Sequence, residues 1–393
     1  TPPEVTFTRG VTSMSKSALN RRAREARQWL FTDCFPLWSD RGNSETGLFH
    51  EALGLDHTPL NENTTRIRVQ ARQTFVFAQA VLLGWKPDAV PHEVEQGVRL
   101  LSGLARRPDG LVGRSLKTDG SGYADDTPDL YDLAFTVYAL AVASRALEDG
   151  TTAIASARAL LDTIDVHMKD ATNGGYAEML PPPARRAQNP HMHMLEACLA
   201  LHQADPEGNH LIRAEELVLL FETKFTAGPG GLLGEYFKPD WGEPDGEAAR
   251  IIEPGHQFEW VWLLHAYARA TGKQVSEAAS RLYAAAISTL DDQGRAFLEM
   301  TRDGKIHDGG RRSWSQSEAL KAHLTLFETT QDERFAAAAC QSFDVLMDEH
   351  LTPEGGWIEH YGPNGEILSN TIPASSGYHV TLAFAELIRI MDA

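Results

Sequence analysis

The sequence predicts an all-α protein, an (α/α)6 barrel of twelve helices with short β-hairpins in its long loops. Three features lead to that reading. Apolar residues recur at helical spacing in twelve segments. A long glycine-rich loop with a recurring pattern precedes every second helix. The last helix, Tyr378 to Met391, is as apolar as the inner ones (Val380, Leu382, Phe384, Leu387, Ile388), so it needs a neighbour on every side, which a closed ring provides and an open solenoid does not.

Leu19, Ala23, Ala26, Trp29 and Leu30 keep helical spacing from Ser15 to Pro36. Further helices are expected near 66–83, 91–104, 130–147, 151–167, 190–204, 209–225, 256–271, 275–290, 314–328, 333–350 and 378–391. The long loops carry Gly47-Leu-Phe-His-Glu51, Gly110-Leu-Val-Gly-Arg114, Gly175-Tyr-Ala-Glu178, Gly231-Leu-Leu-Gly-Glu235, Gly294-Arg-Ala-Phe-Leu-Glu299 and Gly356-Trp-Ile-Glu359. These six copies recur roughly every sixty residues, each a helix pair plus its loop. Residues 1–14 read as a flexible tail, and 15–393 as one catalytic barrel domain.

Composition narrows the function. Among 393 residues, 42% are hydrophobic and eight are Trp, enough for a large core. A net charge of -18 disfavours a nucleic-acid groove or an anionic membrane surface, since both want a basic face. Cys34, Cys198 and Cys340 cannot all pair within one chain and show no CxxC spacing, so reduced thiols in a cytoplasmic protein are expected. No segment approaches a membrane span, and the N-terminal stretch lacks an apolar signal core. Neither a GxxxxGK[ST] loop nor a GxGxxG entering a helix is present, so no nucleotide cofactor is expected.

The repeat also places candidate chemistry. Near the start of each helix that follows a long loop stand Arg72, Asp132, His193, His256, Gln316 and His379. In a closed ring these six positions face a common axis at one end and should line one cavity. Capping explains Asp132 and Gln316 well. It explains Arg72 poorly, because a cation is disfavoured at a helix N-terminus, and it does not explain three histidines at one phase. Glu259, three residues after His256, is placed to orient that imidazole. Histidines with a guanidinium suit abstraction of a proton next to a carbonyl, Arg72 stabilising the enediolate oxygens. Asn189, Tyr131, Trp314 and Glu318 support the pocket, and its aromatic residues suit a sugar.

Metal binding is the competing use of clustered histidines. His191 and His193 stand at i, i+2, which a helix points apart, and His50-Glu51 lacks the second His of HExxH, so no metal is expected. A glycoside hydrolase would need two carboxylates, with Asp132 and Glu259 the inward candidates. A helical scaffold without catalysis would leave no internal cavity.

Arg68-Val-Gln-Ala-Arg72-Gln, Asn189-Pro-His-Met-His193-Met-Leu-Glu-Ala197, Glu253-Pro-Gly-His256-Gln-Phe-Glu259-Trp260, Arg312-Ser-Trp314-Ser-Gln316-Ser-Glu318-Ala and Pro373-Ala-Ser-Ser-Gly-Tyr-His379 resemble motifs of the N-acylglucosamine 2-epimerase family, over about Ala18 to Met391. The resemblance implies an (α/α)6 barrel and metal-free conversion of an aldose through ring opening and an enediolate. It makes His379 the base at C2 and His256, paired with Glu259, the second acid-base group. It places Arg72 and His193 on substrate oxygens, with Asn189, Trp314 and Glu318 shaping the pocket. Several relatives carry an aromatic one turn before the substrate-binding arginine; here Arg68 stands there. EPGHQFEW and PASSGYH look most like the D-mannose isomerases, so interconversion of D-mannose and D-fructose is the expected reaction. A 2-epimerase acting on N-acylglucosamine or a cellobiose-like sugar is the alternative. The expected partner is a small sugar alone, and both monomer and homodimer stay open.

Overall fold

Inner helices that face one another on one side and a second layer on the other must be apolar all round; outer helices need only one apolar stripe. That difference sorts the helices of the computed structural model, which describes residues 9–88 and 90–392. α1 (Arg9–Trp29) continues through a π turn, Leu30–Cys34, into α2 (Phe35–Arg41). Then follow α3 (Ile67–Leu83), α4 (Val90–Ser102), α5 (Leu130–Ala146), α6 (Thr151–Met168), α7 (Asn189–Ala204), α8 (His210–Leu220), α9 (Pro254–Thr271), α10 (Ala278–Ile287), α11 (Ser313–Thr330), α12 (Glu333–Val345) and α13 (Gly377–Asp392). Of the tail expected over 1–14, residues 1–8 lie outside the described residues, and α1 begins at Arg9.

α3, α5, α7, α9, α11 and α13 form the inner ring, each packed on the next and α13 back on α3. Every residue of α5 from Asp132 to Ala143 is buried. α4, an outer helix, buries Val90, Val94, Val98 and Leu101, one stripe at three- and four-residue steps. Pro254 does not break α9 but starts it: proline at the first helical position gives up an amide that had no partner anyway.

The last residue of five of the six recurring loop motifs acts as a backbone cap. The first amides of inner helices need acceptors that the helix itself cannot supply. Ile67 donates to the Arg114 carbonyl, Leu130 to that of Glu178, Gln188 to Glu235, Ser313 to Glu359, and Ala374, just before α13, to Glu51. Five of the six loops thus cap the inner helix of the preceding unit, and Glu51 with Ala374 joins the last unit to the first. Ala52–Gly54 pairs antiparallel with Thr371–Pro373 at the same seam. The short strands pair as hairpins within two loops, Ser115–Lys117 with Tyr123–Asp125 and Glu299–Thr301 with Ile306–Asp308. Others link neighbouring loops, as Arg186–Ala187 does with Tyr236–Phe237.

A second recurring device fastens four loops to the helices behind them. The Gln70 amide exchanges two hydrogen bonds with the Phe49 backbone, both 2.8 Å. Gln257 does the same with Leu233, and Gln316 holds Ala296 and Gly294. In the fourth, the Tyr176 amide donates to His191 Nε2 at 3.0 Å. Gln316 is therefore a loop clamp and not a cavity residue, a correction to its expected place among the six converging positions. Equal spacing along the chain marked the right turn of the helix but the wrong face.

Candidate active site

The six inner helices run in one direction, so their first turns meet at one end of the barrel. His256, in the first turn of α9, has Nδ1 2.9 Å from Glu235 Oε2 and 3.4 Å from Glu253 Oε2. Glu235 is held in place from two sides: Gln188 Nε2 donates to it at 3.0 Å, and Trp260 Nε1 fixes Gln188 in turn at 2.7 Å. Burial works against a charged His256, but Glu235 and then Glu253 outweigh it and keep the imidazole's pKa well above its ordinary value. Glu253 is itself raised to about 7, by burial first, with Glu235 adding and His256 opposing.

Trp314 stands beside His256, ring centroids 5.0 Å apart, and beside His379 at 5.8 Å. Gly255 makes this possible, since a Cβ there would run into the Trp314 ring. His379, in the first turn of α13, donates from Nδ1 to Glu318 Oε1 at 2.7 Å. Burial, then Arg72, Lys321 and His193, push its pKa well below the ordinary value. This imidazole is neutral where His256 is cationic. Two like groups driven apart in this way divide acid from base.

His193 completes the triangle. Its Nδ1 lies 3.0 Å from Glu196 Oε2, and its ring packs on Phe135 at 4.5 Å and edge-on against Tyr131 at 5.0 Å. Burial lowers its pKa to about 4, Glu196 opposing and Arg72 adding to the fall. Arg72 donates to the Tyr131 oxygen at 2.5 Å and to the Ser375 carbonyl at 3.2 Å, over the Phe135 ring at 4.2 Å. No carboxylate pairs with it among the described residues, and its Nε is buried without a partner. A buried guanidinium with no counter-charge is costly, and an anionic oxygen in the pocket would offset that cost.

Glu259 does not pair with His256, a second correction. It lies one turn deeper, fully buried, its Oε1 4.0 Å from His193 Nδ1 and both oxygens without hydrogen bonds. The His256 ring is instead claimed by Glu235, a loop residue that no helical spacing could place. Burial first, and then the like charge of Glu318, hold the Glu259 carboxyl well above the usual range. Asp132 is also removed from the cavity: Arg68 grips both its oxygens, at 2.9 and 2.8 Å, and the Arg68 amide donates to Oδ1. A hydrolase that needs Asp132 as a free carboxylate loses it here.

The other expected residues stand at the same end of the inner ring. Tyr131 and Trp314 are half-buried walls, and Asn189, in the first turn of α7, points an unpartnered Oδ1. Glu318 lies behind His379, 0% exposed, with Lys321 Nζ 2.7 Å from its second oxygen. Sequence reasoning missed Glu235, Glu253, Glu196, Lys321 and Tyr378, whose hydroxyl donates to Glu196. Glu235 closes a loop motif and Tyr378 adjoins His379, so both carried a signal. Lys321 carried a subtler one, a lone charge in an otherwise apolar stretch of α11. Three groups bring ligand atoms within 4.8 Å of one another: His193, Glu196 and Glu259; Glu235, Glu253 and His256; and Glu259, Glu318 and His379. These are the sets that could hold a metal ion.

The family model described as N-acylglucosamine 2-epimerase (GlcNAc 2-epimerase) matches residues 47–383. The chain belongs to the N-acylglucosamine 2-epimerase family. It is 32% identical over 382 residues to a mannose-6-phosphate isomerase of Rhizobium meliloti (strain 1021), spanning 94% of this chain and 97% of that relative. It is 24% identical over 400 residues to a D-mannose isomerase of Marinomonas mediterranea, spanning 96% and 98%. Among solved structures, the cellobiose 2-epimerase from Spirochaeta thermophila DSM 6192 superposes with a TM-score of 0.84 at 26% identity, covering 95% of this chain and 97% of that one. This member of the N-acylglucosamine 2-epimerase family is thus an enzyme of the sugar isomerase and epimerase kind. Among its described residues, no helix is long and apolar enough to cross a membrane.

Proposed function

We propose that the enzyme interconverts D-mannose and D-fructose through an open-chain aldose and a cis-enediolate. The observation that carries this reading is a pair of imidazoles that both adjoin Trp314, His256 held by Glu235 and Glu253 and His379 by Glu318, with surroundings that push their pKa values in opposite directions. The cationic His256 gives a proton to the ring oxygen as the C1–O5 bond breaks and the anomeric O1–H loses its proton to water, leaving C1 as the aldehyde. The neutral His379 takes the C2 proton on Nε2, since its Nδ1–H is committed to Glu318. Electrons from the C2–H bond form the C1–C2 double bond, and the charge develops on O1 beside Arg72 and His193. His379 then returns the proton to C1 on the same face while the O2–H proton passes to O1, so that C2–O2 becomes the carbonyl and C1 carries the hydroxyl, giving the ketose. General acid-base help of this kind is worth ~10² to 10⁴ in rate.

Two further observations favour a free monosaccharide. Arg68 covers the Tyr131 ring at 4.4 Å, occupying an aromatic face on which a second sugar ring would stack. Apart from Arg72, four arginines near the helix starts are already spent: Arg66 on Glu51, Arg68 on Asp132, Arg312 on Glu359, and Arg114 on Asp129 at 3.5 Å. A phosphate would have to compete with these carboxylates. The Rhizobium meliloti relative's name supplies the second reading, a 6-phosphorylated mannose, and the Spirochaeta thermophila enzyme's name a third, 2-epimerisation. Purified enzyme incubated in D2O with D-mannose, with mannose 6-phosphate and with cellobiose separates the three by NMR. Fructose carrying deuterium is expected from D-mannose, and the same yield is expected after a chelator has been added and dialysed away. Turnover of the phosphate alone, epimer without ketose, or loss of activity on chelation would each overturn the corresponding part.

A further inference from the structure

Lys321 takes no part in the chemistry above, yet its position is difficult to account for by packing alone. It is 0% exposed on the inner face of α11, its Nζ 3.9 Å from the Trp262 ring centroid and 2.7 Å from Glu318 Oε2. An isolated ammonium buried so deeply would lose its proton. Here burial is opposed by Glu318 on its own helix, Glu259 on α9 and Glu196 on α7, and the charged form prevails. The same cluster faces His379, together with Arg72 from α3, His193 from α7 and the hydroxyls of Tyr138 on α5 and Tyr378 on α13.

Glu318 thus has two partners, one on each oxygen. A carboxylate hydrogen-bonded to an imidazole with nothing else nearby favours imidazolium, which is useless as a base. A carboxylate whose charge is already matched by an ammonium can still accept the Nδ1–H and fix the ring, without drawing a second proton onto it. We propose that Lys321 is a positioning residue that holds His379 as the neutral Nδ1–H tautomer by neutralising Glu318 from behind. The inference rests on His379 being the C2 base, as proposed above. It deepens that reading by assigning the base's competence to a lysine that never meets the sugar.

The sign of the effect follows. A base works when unprotonated, so the acid limb of kcat/KM against pH marks its pKa. Removing the ammonium leaves Glu318 pulling on His379 alone, and the acid limb moves to higher pH. In Lys321→Met, which keeps the length and apolar stem, the limb should rise by about one unit, costing up to roughly tenfold in kcat/KM on the acid limb itself with little change at pH 7. KM for D-mannose should stay within about twofold, because Lys321 does not reach the pocket. A limb that stays in place in a folded variant overturns the proposal, since lost packing would lower activity equally at all pH values. Should the variant fail to fold, the unmodified enzyme decides: 15N shifts of His379 should report a neutral, Nδ1-protonated ring down to pH 5, and titration near the ordinary histidine value would overturn it. His379→Asn separates the two ideas. If that variant still exchanges the C2 hydrogen, the base assignment falls; if it does not, and the Lys321→Met profile is unmoved, only the lysine's role falls.

Discussion

His256 and His379 occupy equivalent turns of two inner helices, each 7% exposed, each with Nδ1 on a glutamate oxygen at 2.9 and 2.7 Å. By that description they should behave alike, yet burial and surroundings drive their pKa values in opposite directions. The difference lies one atom further out. Glu235 and Glu253 make no ion pair with a lysine or arginine among the described residues, so their charge falls on His256. Glu318 shares its charge with Lys321, while Arg72 and His193 repel a proton on His379. A histidine–carboxylate contact therefore fixes a ring's orientation, and the carboxylate's other partner decides whether the ring is acid or base.

The sharpest way to break this comparison is to delete each ring in turn. His379→Asn should lower turnover of D-mannose by ~10² to 10⁴ and remove deuterium exchange at C2, because no second base reaches that face. His256→Asn should also slow turnover, by ~10², but through ring opening, so substrate that opens unaided still exchanges its C2 hydrogen. NMR of mannose recovered from D2O reads both. Equal loss of exchange in the two variants would mean that the rings do not divide the work as their charges suggest.

A smaller effect is expected from removing the charge that makes His256 an acid. An acid works while protonated, so its pKa sets the alkaline limb, and a raised pKa keeps activity at high pH. Glu235→Gln retains the size and a hydrogen-bonding oxygen but lowers the His256 pKa, bringing the alkaline limb down. On the alkaline limb activity should fall by up to roughly tenfold, for a shift of about one unit, with little change at pH 6. The matched pair, Glu235→Gln moving the alkaline limb and Lys321→Met moving the acid one, tests the comparison from both sides. Movement of the same limb in both would undo it.

The contrast also shows where the sequence was readable. Spacing along the chain located twelve helices, the sixfold loop motif, and three imidazoles with Arg72 at one end of the inner ring, because helical phase and repeat length are local and periodic properties. It did not find the partner that charges His256, because Glu235 arrives from a loop whose path no period describes. It also misassigned Glu259, where a helical i, i+3 relation suggested a pair that the competing loop carboxylate forestalls. Gln316 and Asp132 show the limit in another form: each has the right spacing, yet one turns outward to clamp Ala296 and the other is held by Arg68. Repeat position fixes the turn of helix on which a residue sits, while the neighbouring loops decide which way its side chain goes.

The smallest effect concerns a histidine outside the pocket. Of the four loop clamps, three use glutamine and one uses His191, whose Nε2 accepts the Tyr176 amide while Nδ1 donates to the Ala187 carbonyl at 3.2 Å. Burial first, and then Arg186, lower its pKa to about 3. In the unfolded chain the ring titrates near ~6.5, so below that value the unfolded state binds a proton that the folded state refuses, and stability falls as pH drops toward 3. His191→Gln should preserve the clamp, as Gln70 does on Phe49, and remove this one source of acid sensitivity. The fall in Tm between pH 7 and pH 5 should shrink by about 2 °C or less, with turnover at pH 7 unchanged. It will not vanish, because His193 and His323 are lowered by burial in the same way and remain. His191→Ala supplies the contrast: it strands the buried Tyr176 amide and should cost about 1–3 kcal/mol at every pH. A glutamine variant that loses stability uniformly, as the alanine variant does, would show that the imidazole's shape, and not its hydrogen-bonding pattern, holds the loop.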